Sequence, residues 1–215
     1  MVENRHLSGL VYVIDDDAAV RRGIERLLRV SGYACRVFEN AKEYLAAQLE
    51  PVHSSCMVLD IRMPEVSGTE LQELLRGTAQ EVPIIFVTGH GDIPTCVKAL
   101  KAGAISFLTK PFDEKTLLSA VSEALHVSES ASELIARRTE AKKRYASISP
   151  REREVFDGVV RGLLNKQIAV EMGIAEKTVK VHRGRVMEKM GADSVACLVR
   201  LSQLLADSPS ASEGA

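Results

Sequence analysis

Tryptophan is missing from this chain and aromatic residues make up only 4% of it, so any core has to be filled by Leu, Val, Ile and Ala. Long apolar runs are missing too. Nothing approaches the ~20 residues that a bilayer-spanning helix requires, and Met1–Leu10 lacks the apolar centre of a secretory leader. Both absences lead us to expect a cytoplasmic protein with no membrane partner. Cysteine is sparse and scattered. Cys35, Cys56, Cys96 and Cys197 form no C-x-x-C pair and no metal-ligand spacing, which argues against a disulfide framework or a zinc site. Cys35, Cys56 and Cys197 fall in apolar segments and are expected to be buried thiols, with Cys96 left open. Net charge is nearly absent at -1, yet that figure hides a division: residues 1–125 carry -4 and residues 126–215 carry +3. An acidic half followed by a basic half points to separate partners, a polyanion for the second.

What is present is alternation. Short apolar runs at Leu10–Ile14, Ala34–Phe38, Cys56–Asp60, Ile84–Thr88 and Ile105–Thr109 read as strands. Amphipathic stretches lie between them. In Ala18–Val30 the residues Val20, Ile24, Leu27 and Leu28 recur at helical spacing; Asn40–Leu49 and Thr69–Arg76 follow. A fourth helix is expected to start at a capping Asp92, with Pro94 in its first turn, and to end at Gly103. Five such repeats imply right-handed crossovers and a five-stranded, doubly wound parallel sheet, an α/β fold of the flavodoxin-like kind. Asp113–Ser147 reads as one long helix or two joined ones. Its stripe of Leu118, Val121, Leu125, Ser128, Ser132 and Ile135 is only half apolar, so a coiled-coil seam and a solvated linker helix are both open. Ser147, Ser149 and Pro150 mark a boundary. Beyond it Arg151–Leu205 predicts four short helices broken by Gly162, Gly173 and Gly191, and Asp207–Ala215 has the small polar composition of a disordered tail. The expected segments are 1–125, a helical linker over 126–148, an all-α domain over 149–206 and the tail over 207–215.

Ligands of doubly wound sheets bind at the carboxyl ends of the strands. Asp15, Asp16 and Asp17 follow the first strand there, Asp60 ends the third, Thr88 ends the fourth and Lys110 follows the fifth. Carboxylates converging at one spot repel unless a divalent cation sits among them, and a hard ion such as Mg²⁺ suits oxygen ligands. Thr88 offers a hydroxyl and Lys110 a point charge to a phosphoryl group. Singly, an Asp after a strand is as often a helix cap, and Lys-Pro is common in loops. The weight lies in the whole set at matching positions.

The runs Val13-Ile14-Asp15-Asp16, Leu59-Asp60-Ile61-Arg62-Met63-Pro64, Val87-Thr88-Gly89 and Lys110-Pro111-Phe112 resemble the signature of response-regulator receiver domains from Leu10 to about Leu125. The resemblance implies that Asp60 is phosphorylated by a sensor histidine kinase. Asp15, Asp16, Asp60 and the backbone carbonyl of Arg62 would hold Mg²⁺, and Asp17 would cap the next helix. Thr88 and Lys110 would grip the phosphoryl oxygens, beside a cis Lys110–Pro111 peptide. Phe107 stands at the family's aromatic switch position, where a Phe without hydroxyl leaves packing as its only signal. His90 is read as a loop histidine. Val97, Leu100, Lys101 and Ala104 would contribute to a dimer interface formed on phosphorylation. Catalysis is then confined to the protein's own phosphorylation and dephosphorylation.

In the second half, Leu163–Met172 and the stretch from Glu176, joined by Gly173-Ile174-Ala175, have helix-turn-helix spacing. Ile168, Ala169, Met172, Ile174, Val179 and Val186 form the expected seam. The second helix carries Lys177, Lys180, Arg183, Arg185 and Lys189 with Thr178 and His182, against Glu176 and Glu188. Ser149–Leu205 is similar to the LuxR-type DNA-binding domain, which implies that Glu176–Met190 enters the major groove. Lys177, Lys180 and Arg183 are expected at bases or nearby phosphates, Thr178, His182 and Lys189 at the backbone, and Lys166 among the DNA contacts. Ala175 stands where the family often has a Ser cap, a loss of about 1 kcal/mol. The whole chain thus resembles a NarL/LuxR-type, FixJ-like response regulator that dimerises, binds promoter DNA and has RNA polymerase as a possible partner. Two rivals remain. A phosphohydrolase with an Asp nucleophile would need a second acid at 62, which is Arg; a phosphorylation-independent adaptor would need none of the Asp60 chemistry.

Overall fold

The computed structural model describes residues 9–50, 52–89 and 93–206. The expected cap at Asp92, the loop residue His90 and the tail from Asp207 lie outside them. Five strands alternate with helices: β1 Leu10–Ile14, α1 Ala18–Val30, β2 Ala34–Phe38, α2 Ala41–Ala46, β3 Ser55–Asp60, α3 Gly68–Leu75, β4 Ile84–Thr88, α4 Ile93–Lys101 and β5 Ser106–Thr109. The strands pair in parallel in the order β2-β1-β3-β4-β5. Period-two alternation divides the core between the faces. Tyr12, Ile14, Met57, Leu59, Ile84 and Phe86 pack on one side with Tyr44, Leu71, Leu75 and Ala99. On the other, Val11, Val13, Cys56, Val58, Ile85 and Val87 meet Ile24 and Leu28 of α1 and Leu117, Val121 and Ala124 of the helix that follows β5. With no Trp available, Tyr12, Phe38 and Tyr44 cluster on the first face, edge-on at 5.3–5.5 Å for the two pairs with Tyr44.

The ambiguous segment is one continuous helix, α5, from Glu114 to Ser147. Its half-apolar stripe belongs to the sheet core as far as it is buried: Val121, Leu125 and Ser128 are buried and Ile135 is 63% exposed. Ser128 is polar because its Oγ accepts the N–H of Ser55, at the start of β3, at 3.1 Å. Ser54 Oγ donates to the carbonyl of Leu125 a turn earlier, at 3.4 Å. Three other expectations change. Ala104 is buried rather than on a contact surface, because its N–H closes back onto Ala99 of α4. Cys35 and Cys197 are half-buried, and Cys56 alone is a fully buried thiol, its pKa pushed up to about 12 by burial. Helix α2 stops at Ala46, short of Leu49.

The chain divides into two compact units, 1–132 and 133–215. In the second, α6 Pro150–Val160, α7 Asn165–Met172, α8 Glu176–Met190 and α9 Val195–Ala206 enclose Val155, Phe156, Ile168, Val179, Val186, Met190 and Leu198. Ser149 and Glu152 form a capping box, with Pro150 entering the first turn of α6. A Cβ on Gly158 would come within 2.8 Å of Ile168, so glycine there lets α6 and α7 approach.

Candidate functional site

At the carboxyl edge of the sheet the structure gathers the polar residues that the sequence places after its strands. Asp15 and Thr88 are fully buried and Asp60 nearly so, while Asp16 is exposed. Carboxylate oxygens of Asp15, Asp16 and Asp60 lie within 4.8 Å of one another. Lys110 Nζ reaches into them, 2.6 Å from Asp15 Oδ2 and 2.7 Å from Asp60 Oδ2. The other oxygen of Asp60 accepts the Arg62 N–H at 3.0 Å, which fixes the carboxylate plane. Asp15 Oδ1 accepts the Asp17 N–H at 2.9 Å. Asp17 itself turns away and caps α1, accepting from Ala19 and Val20 at 2.7 and 3.3 Å.

Three acids near one ammonium leave an excess of negative charge in a pocket that is buried at Asp15 and Asp60. Burial raises the Asp15 pKa, partly offset by the hydrogen bond and charge of Lys110. Burial alone would lower Lys110; its hydrogen bonds and charge pairing with Asp15 and Asp60 outweigh that and hold it above its ordinary value. An all-oxygen donor set with one face open at Asp16 fits a small hard dication. Lys110 is placed by the backbone as well as by charge: its N–H donates to the Thr88 carbonyl at 2.7 Å, and a cis Lys110–Pro111 bond follows. Phe107 is half-buried, paired in register with Phe86 and packed against the core.

Two pocket residues escaped the sequence reading. Gly68 opens α3 with its N–H on the Ile61 carbonyl at 2.9 Å, and a Cβ there would collide with the carbonyl oxygen of Asp60. Its signal was available, since a glycine closes a tight loop after Met63-Pro64. Arg21 donates to the Asp15 carbonyl at 2.5 Å, a contact that no local pattern announces.

The second unit presents α8. Lys177, Thr178, Lys180 and Arg185 are exposed, and His182 and Arg183 are half-buried, with Arg183 donating to Asn165 of α7 at 2.9 Å. Lys166 is exposed near the start of α7. Val181, absent from the expected contacts, is 49% exposed on the same face as Lys177. Lys189 is otherwise engaged: its ammonium lies 2.7 Å from Glu152, whose side chain is only 4% exposed. No side chain caps α8 at Ala175, as the sequence leads one to expect.

A parallel sheet with a lysine-bridged acid pocket at its carboxyl edge, followed by a helix-turn-helix unit with a basic second helix, defines a signal-receiving DNA-binding protein. Residues 11–122 match the family described as response regulator receiver domain, and residues 146–202 match the bacterial regulatory proteins of the luxR family. The chain therefore belongs to the response regulators with a luxR-type output domain. It is 44% identical over 207 residues to the response regulator protein TodT of Pseudomonas putida, covering 95% of this chain and 91% of that one. Similarity to the transcriptional regulatory protein FixJ of Bradyrhizobium diazoefficiens is 42% over 194 residues, covering 90% and 94%. Among solved structures, the response regulator StyR superposes with a TM-score of 0.80 at 44% identity, over 91% of this chain and 98% of that one. Full-length FixJ from B. japonicum gives 0.55 at 40% identity, over 94% and 99%. No helix among the described residues is long and apolar enough to cross a membrane.

Proposed function

We propose that this protein is a cytoplasmic transcription regulator switched by phosphorylation of Asp60. The observation that carries the reading is the pair of contacts from Lys110 to Asp15 and Asp60, which hold the acceptor carboxylate oriented beside a cation. An Asp60 oxygen attacks the phosphorus of a phosphohistidine on a sensor kinase; the O–P bond forms as the N–P bond breaks and the histidine leaves. Lys110 stays beside the transferred group to balance its oxygens, and the Thr88 hydroxyl donates to one of them. Asp15, Asp16, Asp60 and the Arg62 carbonyl would hold Mg²⁺, which supplies charge neutralisation for the phosphoryl oxygens. Displacement of Thr88 toward the phosphoryl group frees space that Phe107 fills by packing.

The output is dimerisation and promoter binding. Val97 and Leu100, 44% and 43% exposed on α4, together with Lys101, offer the receiver's contact surface. Lys166, Lys177, Lys180 and Arg183 serve the DNA as base or phosphate contacts, with Thr178 and His182 at the backbone and Val181 suited to a thymine methyl. Lys189 is kept by Glu152 and contributes through the fold. RNA polymerase is the partner expected at an activated promoter. Sedimentation of the full chain with Mg²⁺ and beryllofluoride, a phosphoryl mimic, tests the switch. A monomer-to-dimer shift in the wild type and none in Asp60→Asn is the expected result. DNA binding that is identical in both proteins, with and without the mimic, would favour a phosphorylation-independent adaptor instead.

A further inference from the structure

The two ends of α8 are held very differently. At its N-terminus Ala175 provides no side-chain cap. Its C-terminus is closed twice by backbone, with Gly191 donating to Glu188 at 3.0 Å and Ala192 to Met187 at 2.9 Å, Gly191 adopting φ 64°. A third closure comes from outside the helix. Arg144, in the last turn of α5, donates from its Nη1 to the Met190 carbonyl at 3.1 Å. Its Nε is in turn held by Glu140 at 2.7 Å. Gly191 matters to this contact beyond its backbone angle, because a Cβ there would collide with the Arg144 guanidinium. The end of α5 is itself fixed in the unit: Ala141 is buried, and Tyr145 packs edge-on to Phe156 at 5.2 Å beneath Arg153.

We propose that Arg144 is a positioning residue for sequence reading by α8, and that the linker helix sets DNA specificity through it. The inference rests on the DNA-binding reading of α8. A cation at a helix C-terminus is favourable in itself, since it meets the negative end of the helix dipole and an otherwise unpaired carbonyl. Here it does more than stabilise. With the N-terminal end uncapped, the direction of α8 is fixed by its side-chain packing, by the Arg183–Asn165 and Lys189–Glu152 contacts and by what grips its C-terminus, and Arg144 is the grip that belongs to α5. A tilt about that end moves Lys177 and Lys180 most, because they lie farthest from it. Base contacts, which are directional, suffer from such a tilt, whereas phosphate attraction tolerates it.

The test uses the full-length protein activated with beryllofluoride, and two duplexes: one enriched by the wild-type protein from a random library, and a scrambled version of it. Binding is measured over a series of salt concentrations for wild type, Arg144→Ala and Arg144→Lys. Arg144→Ala is expected to lose roughly tenfold on the enriched duplex and less than about twofold on the scrambled one, with the salt slope unchanged. Arg144→Lys, which keeps a donor and a charge at the same carbonyl, recovers part of the loss. In the Arg144→Ala background, Gly191→Ala costs less than it does in the wild type, since the clash with the guanidinium is gone. Equal losses on both duplexes with a slope reduced by about one unit would make Arg144 a phosphate contact and overturn the proposal. So would an unchanged ratio between the duplexes combined with a lower melting temperature, which marks a purely structural role. If the library yields no enriched duplex even for the wild type, the DNA-binding reading fails and the proposal fails with it. Success of the library with no effect of Arg144→Ala fails the proposal alone.

Discussion

The receiver pocket and the α8 face are both built from charged residues, but they solve opposite problems. In the pocket the inner groups are specified by their neighbours: Asp15, Asp60 and Thr88 are buried, and Lys110 spans two acids at 2.6 and 2.7 Å. On α8, Lys177, Lys180 and Arg185 are exposed, and their charged ends can follow a phosphate. Chemistry on a small transferred group needs a preorganised, dehydrated frame. Recognition of a long polyanion needs a surface whose contacts form only in the complex. Losing one member should therefore be catastrophic in the first case and graded in the second.

The largest expected effect is Asp60→Asn, which removes phosphate incorporation from a phosphohistidine donor completely; retained incorporation at another residue, read by mass spectrometry, would break the contrast. Gly68→Ala comes next. The new methyl must displace the Asp60 carbonyl, so acceptor geometry is lost, and phosphorylation should slow by about 10²-fold, in line with ångström-scale misplacement of reacting groups. A comparable rate to wild type would show that the β3–α3 connection yields freely. On the other side of the comparison, Lys180→Ala should cost about 1 kcal/mol of DNA binding and flatten the salt slope by roughly one unit, without affecting phosphorylation. The acid pocket also carries a stability cost. Because burial raises the Asp15 pKa, its ionised form at neutral pH weighs against the folded state, and that penalty is relieved as the pH falls. In EDTA, Asp15→Asn should accordingly raise stability by on the order of 1 kcal/mol, seen as a higher melting temperature, even as it disables the site.

Glu152 gives the smallest effect and the opposite sign. Lys189 and the Ser149 N–H hold its carboxyl down to about 2, from an ordinary value of 4.5. Its contribution is complete above about pH 4.5 and is lost as the pH falls toward 2. Glu152→Gln should flatten the acid limb of unfolding of the second unit between those values, followed by circular dichroism. An unchanged acid limb would mean that the capping box around Ser149 works without its charge.

Much of this was legible in the residues. The strands declared themselves by short apolar runs, and the pocket by polar residues placed directly after them, because a parallel sheet has only one edge at which such residues can meet. The half-apolar stripe of α5 left two readings open, because the sequence does not show that Ser128 is buried and bonded to β3. Ala104 looked like an interface residue for a similar reason, since helix phase places it but does not say which side the sheet covers. Lys189, expected at the DNA backbone, has a partner that the sequence does not announce, since Glu152 lies 37 positions away. Arg144 ends a charged run that begins at Arg137, and nothing in that run sets it apart. Its role depends on a carbonyl 46 residues distant and on a glycine whose missing side chain makes room.

The packing of Tyr145 against Phe156 has an optical consequence. The chain has no tryptophan, and Tyr145 is the one tyrosine beyond residue 132. Phe156→Trp would therefore give the second unit a fluorophore that nothing in the receiver competes with at red-edge excitation. Its ring would sit at 145's edge, where the end of α5 meets α6. Emission from that single site would then watch the joint through activation and DNA binding in the intact chain, with no label attached.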